Sequence, residues 1–171
     1  VENIEYMQAD ILDLSKLGKK FDIVESVGVL HHMENPAEGW KILTDCLKPG
    51  GLMKIGLYSE LARQHIVEIR KEISNEGIGS SDDEMKSFRD TIIVSEKDHH
   101  ERILNFIDFY SLSEFKDLLF HVQEHRFTIP QIQDCLFQFG LKFCGFETNK
   151  EILSHFNKST AGIGNSYNLE K

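Results

Sequence analysis

Two short apolar runs on either side of one sharply punctuated helix constrain this chain more than any other feature. Residues 21–27 (FDIVESV) read as a strand ending near Gly28. Residues 36–47 read as a helix: Asn35 can cap it, Pro36 suits the first turn, and Trp40, Leu43 and Leu47 fall near one face. Lys48-Pro49-Gly50-Gly51 stops that helix, because proline cannot continue it and glycine supplies positive φ. Residues 52–58 (LMKIGLY) then read as a strand. Strand, helix, strand at this spacing predicts parallel pairing through a right-handed crossover. Residues 4–8 predict another short strand, ending at Asp10.

Beyond Ser59 the pattern changes. The only strand-like stretch between residues 59 and 126 is Thr91-Ile92-Ile93-Val94. Residues 60–74 and 113–125 have helical spacing, the second with Phe115, Leu118, Leu119 and Val122 on one face. Residues 75–83 (NEGIGSSDD) form a turn-rich break, and residues 84–107 are mixed. Residues 60–126 carry fifteen acidic and nine basic side chains, six of the net nine negative charges in the 171-residue chain. That acidity argues against a phosphate-tracking nucleic-acid surface and against anionic lipid. No apolar run spans a bilayer and no signal peptide is evident. Cys46, Cys135 and Cys144 read as reduced thiols of a cytoplasmic protein. Thr128 predicts an N-cap for a helix over 130–139 that Gly140 stops, and residues 141–147 alternate like a strand.

Three segments carry a family resemblance. Gln8-Ala9-Asp10-Ile11-Leu12-Asp13-Leu14 places an acidic residue just past a strand. Phe21 through His32 ends in Glu25-Ser26-Val27-Gly28-Val29-Leu30-His31-His32. Leu47-Lys48-Pro49-Gly50-Gly51-Leu52 follows across the helix. In this order they resemble the second half of a class I S-adenosylmethionine-dependent methyltransferase. The resemblance implies an α/β fold: a partial, Rossmann-like parallel sheet with a helical insertion after the third visible strand. On it, residues 1–59 are a partial cofactor-binding region, 60–126 a helical insertion or lid, 127–150 a late helix and strand, and 151–171 a polar tail. Residues 58–63 and 120–127 also resemble methyltransferase domains that follow tetratricopeptide repeats in some bacterial proteins, which implies such repeats elsewhere in the parent chain. The family's glycine-rich loop and its ribose-binding acidic residue have no counterpart in these 171 residues. The chain therefore reads as a fragment, truncated at both ends, that binds S-adenosyl-L-methionine weakly if at all.

The resemblance implies roles residue by residue. Asp10 sits where an acceptor-only carboxylate meets the adenine amino group, with the Ile11 N–H beside a ring nitrogen; the plain alternative for Asp10 is a helix cap. Ser26, Val27 and Gly28 lie where the methionine part of the cofactor is expected, outside the carboxyl end of a strand. His31 reads as a wall of that pocket and His32 as the candidate catalytic base. Tyr58 and Glu60 are candidate substrate contacts, although a tyrosine there also serves as a packed aromatic. The methyl acceptor is not legible. A non-catalytic interaction module and another nucleotide-binding Rossmann-like enzyme are the alternatives.

His121-Val122-Gln123-Glu124-His125 matches the inverted zinc-peptidase motif on a helix. The tail offers Glu147, Glu151 and His155 as a third ligand, but no second motif supports it, so no metal is expected and the stretch reads as a solvated helix face or a contact of the substrate region. Gly162-Ile163-Gly164 reads as a flexible loop.

Overall fold

The computed structural model describes residues 3–121, 123–159 and 169. The glycines at 162 and 164 lie outside them. Two strands form its sheet, β1 (Phe21–Val27) and β2 (Leu47–Gly56). Asp22 lies against Gly51 and Val27 against Gly56, so the register advances in the same direction on both strands and the pair is parallel. A Cβ on Gly56 would sit 2.7 Å from Val27 Cγ1, and one on Gly51 would sit 2.8 Å from the Asp22 carbonyl oxygen. Only glycine permits this approach at either position.

Helix α1 (Pro36–Asp45) connects the strands. It stops two residues short of the sequence expectation, and β2 begins at Leu47 instead of residue 52. The residue before a proline is pushed towards extended backbone, so Lys48 already favours the strand. Gly50 takes φ 78° within it.

The chain divides into two compact units. The first comprises residues 1–24, 37–53 and 127–171. Among the described residues its buried apolar side chains are Val24, Trp40, Leu43 and Cys46. Trp40 meets Phe139 edge to face at 5.7 Å. Helix α6 (Ile129–Gln138) follows the expected Thr128 cap, with Gln131 closing a capping box, and Gly140 ends it at φ 67°. Helix α7 (Lys150–Ser159) occupies the start of what reads in sequence as a polar tail.

Two expected strands are absent. Residues 4–8 form no strand, and Tyr6 is 90% exposed. Residues 141–147 are likewise unpaired, and Phe143 packs against Phe146 instead. Both have strand-like composition, but ladder hydrogen bonds need a neighbour, and neither finds one among the described residues. The sheet therefore has two visible strands where three were expected before the helical region.

The second unit comprises residues 25–36 and 54–126. Helices α2 (Gln64–Glu76), α3 (Asp82–Ile93), α4 (Asp98–Ile103) and α5 (Leu112–Phe120) build it. Ile66, Ile69 and Ile73 repeat at helical spacing on α2, and Met85, Phe88 and Ile92 do so on α3. With Ile103, Phe109, Phe115, Leu118 and Leu119 they form one continuous core. Each such side chain contributes roughly 1.5–3 kcal/mol on full burial. The strand-like Thr91–Val94 stretch is corrected to helix end. A Ser81–Glu84 capping box starts α3, and the apolar spacing carries it past the β-branched residues. No helix among the described residues is long and apolar enough to cross a membrane.

Candidate functional site

The second unit gathers most of the candidate residues. β1 ends at Val27, and Gly28 follows at φ 76° with open space where a Cβ would project. Ser26 is buried, yet its hydroxyl has no hydrogen-bond partner. An unmet buried hydroxyl costs about 1–3 kcal/mol, so this is an atom that a ligand can satisfy.

A short 3-10 turn over Leu30–His32 follows. His31 is fully buried and stacks on Tyr58, with ring centroids 3.7 Å apart. Neither ring nitrogen makes a hydrogen bond, although the Gly56 backbone lies near. Burial, reinforced by neighbouring His32, lowers its pKa to about 4. His31 is therefore neutral at pH 7, which suits a wall and not a proton carrier. The Arg63 guanidinium lies 3.7 Å from the Tyr58 ring centre. Two groups that close cannot share one face, so Tyr58 is held between imidazole and guanidinium. Its ring is a packing element, as the plainer reading has it.

His32 is positioned differently. Its Nδ1 lies 3.1 Å from the Gln123 carbonyl oxygen. A carbonyl only accepts, so Nδ1 carries a proton in this contact, and in the neutral ring the lone pair is on Nε2. In that neutral form Nε2 is the nitrogen able to take up a proton. The His121 ring packs 4.2 Å from it. The His125 N–H donates to the His31 carbonyl at 2.8 Å, and the Gln123 amide donates to the Met33 carbonyl at 3.3 Å. Residues 123–125 are thus tied to residues 31–33 across some ninety positions of sequence.

These tethers overturn the helical reading of residues 121–125. Helix α5 ends at Phe120, and His121 is extended at ψ 132°. His121 and His125 do not project from one helix turn as the zinc motif requires. Glu124 is instead the centre of a buried ion network, its side chain 1% exposed. Arg63 grips both its oxygens, Nε at 3.1 Å and the terminal nitrogen at 2.8 Å. Arg70 reaches it at 3.1 Å and Arg126 at 3.7 Å. Glu60 gives one oxygen to Arg126 at 3.0 Å and the other to Gln64 at 2.7 Å, so its carboxylate is held within the network. Sequence reasoning missed Arg63, Arg70 and Arg126. Arg63 and Arg70 stand two turns apart on one face of the α2 region, which was a readable hint.

Asp10 and Ile11 belong to the first unit. Asp10 caps the 3-10 segment Ile11–Leu17, accepting from the Leu12 N–H at 2.9 Å. The plainer role is therefore realised, while its second oxygen has no partner among the described residues. As the first residue of that segment, Ile11 has an N–H with no acceptor inside it.

Two comparisons bear on this geometry. An uncharacterized protein of Synechococcus sp. is 36% identical over 73 residues, covering 43% of this chain and 18% of that protein. The match thus spans less than a fifth of the relative's length. Residues 1–55 match a family model described as a methyltransferase domain. That match covers about a third of the chain and is consistent with a class I S-adenosylmethionine-dependent methyltransferase.

Proposed function

We propose that the chain is part of a methyltransferase that uses S-adenosyl-L-methionine and transfers its methyl group to an acceptor still to be identified. The match over residues 1–55 carries the reading. The fit of the residues supports it: the unmet Ser26 hydroxyl, the open space at Gly28 and the neutral, buried His31 follow one another in sequence at the carboxyl end of β1. In this reading Ser26, Val27, Gly28 and His31 line the methionine part of the cofactor. When bound, the cofactor supplies an electrophilic methyl group on a sulfonium. Methyl transfer from it needs alignment and exclusion of water more than acid–base help. His32 Nε2 takes a proton only where the acceptor must lose one. Residues 60–126 then act as an insertion that bounds the acceptor side, with Tyr58 fixed between His31 and Arg63 as its wall. The parent protein is soluble in the cytoplasm and carries tetratricopeptide repeats elsewhere; nucleic acid and membrane are not its partners.

Ligand-observed magnetic resonance with S-adenosylmethionine, S-adenosylhomocysteine, ATP and NAD tests this. The first two bind this chain and compete with each other at roughly millimolar affinity. The weakness reflects contacts that its sequence does not supply, about 1.5–3 kcal/mol for each good one. Equal binding of ATP or NAD favours another nucleotide enzyme. Micromolar binding of S-adenosylmethionine by this chain overturns the placing of the pocket, because the expected contacts are too few for it.

A further inference from the structure

Away from the candidate site, α2 and α4 place a second set of chemically active side chains together. Glu68 and Glu72 lie one turn apart on α2, and His99 and His100 lie in the first turn of α4. His99 Nε2 is 2.8 Å from one Glu72 oxygen, and His100 Nε2 is 2.8 Å from the other. One ligand atom from each of Glu72, His99 and His100 falls within 4.8 Å of the others. His100 is buried, while Glu72 and His99 are one-fifth exposed or slightly less, which leaves a path for an ion. Behind the cluster, Glu68 Oε2 lies 3.4 Å from His99 Nδ1.

We propose that Glu72, His99 and His100 form a divalent-metal site of zinc type, which clamps α2 to α4. Two imidazole nitrogens and one carboxylate suit a borderline ion such as zinc, leaving a fourth position for water. Ligand atoms around tetrahedral zinc stand about 3.3 Å apart at bonds of about 2.0–2.1 Å. Small side-chain rotations open the present 2.8 Å contacts to that spacing. Glu68 supplies the outer carboxylate that typically orients a ligating imidazole and fixes its tautomer. Glu72 is ready as a ligand. Desolvation pushes its carboxyl up, but bonds from Lys97, His99 and His100 outweigh this and hold its pKa at about 2. Lys97 Nζ, 2.9 Å from Glu72 and half exposed, occupies the place of a competing cation and must swing away. His100 Nδ1 has no partner, so this imidazole lacks the outer orienting group that Glu68 gives His99. This site owes nothing to the methyltransferase reading.

The metal-stripped 171-residue chain titrated with zinc chloride by calorimetry tests the proposal, with cobalt absorption spectra reporting ligand type. One zinc per chain is expected. Glu72→Gln and His99→Gln abolish that stoichiometric binding, and Glu68→Gln weakens it about 10-fold. Lys97→Met tightens it about three- to ten-fold, because a like charge has left the site. Far-UV circular dichroism checks each variant. Should Glu72→Gln unfold, the exposed Glu68 and Lys97 positions still decide. Absence of zinc binding overturns the site, as do binding unchanged by Glu72→Gln, binding indifferent to both Glu68→Gln and Lys97→Met, or loss of zinc on His121→Gln.

Discussion

The two units differ in how their apolar side chains are used. The second buries eleven of them in one helical core, from Ile66 to Leu119. The first buries Val24, Trp40, Leu43 and Cys46, while Tyr6, Met7, Ile23 and Leu52 stand exposed, Ile23 at 66%. Parallel sheets are normally covered on both faces, so strand residues that should be inside lie open here. The family match falls mainly on the less buried unit, whereas the most buried polar groups, Glu124, His31 and His100, belong to the other. Sequence similarity and local burial are therefore separate quantities in this molecule. A family pattern records which strands once met a cofactor; it does not report how tightly the rest packs.

Trp40 is the single tryptophan and lies in the first unit, while most helix lies in the second. Fluorescence and far-UV circular dichroism thus read the two regions separately. The largest effect is expected at Glu124→Ala. Removing the partner of Arg63 and Arg70 leaves buried guanidiniums unpaired, a loss of about 3–5 kcal/mol in urea unfolding. The dichroism transition should shift first; an equal shift in fluorescence would break the comparison and show one cooperative unit.

Acid comes next. The pKa values of His31, His65 and His100 are all lowered in the fold, chiefly by burial. Below the unfolded value near 6.5 the unfolded chain takes up protons that the folded chain refuses. Stability is therefore complete above pH 6.5 and falls progressively towards pH 4. His31 alone accounts for up to about 3 kcal/mol. Denaturation at pH 7 and pH 4.5, followed by dichroism, measures it. A flat profile would mean these rings are not buried in solution.

Gly51→Ala sharpens the comparison from the other side. Its methyl group meets the Asp22 carbonyl oxygen, and backbone has little room to give. About 1–3 kcal/mol is lost, read by Trp40 fluorescence. The smallest effect belongs to Lys41→Ala, which removes an exposed ion pair with Asp45 on α1. No more than about 0.5 kcal/mol follows, falling further in salt.

Local rules made much of the fold legible. Pro36, Thr128 and Gly140 mark helix ends through their own backbone chemistry, and α1 and α6 stand close to where they were expected. Residues 4–8 and 141–147 misled because alternation describes a strand's faces and not its neighbour. Thr91–Val94 misled because β-branched composition lost to a capping box and apolar spacing. At the site, His31, His32 and Tyr58 were visible from their positions after strands. The Arg63–Glu124 pair was not, since its partners are 61 residues apart and nothing local links them. The same long-range tether turned the His121 motif away from a helix.

The central claim is that the cofactor's methionine end is met after β1, in the second unit. Titration of the isotopically labelled chain with S-adenosylhomocysteine, followed amide by amide, tests it most directly. The account predicts the largest shifts at Ser26, Val27, Gly28 and His31. Saturable binding that leaves those four unmoved, with shifts confined to α6 or to the Glu72 cluster, would contradict it.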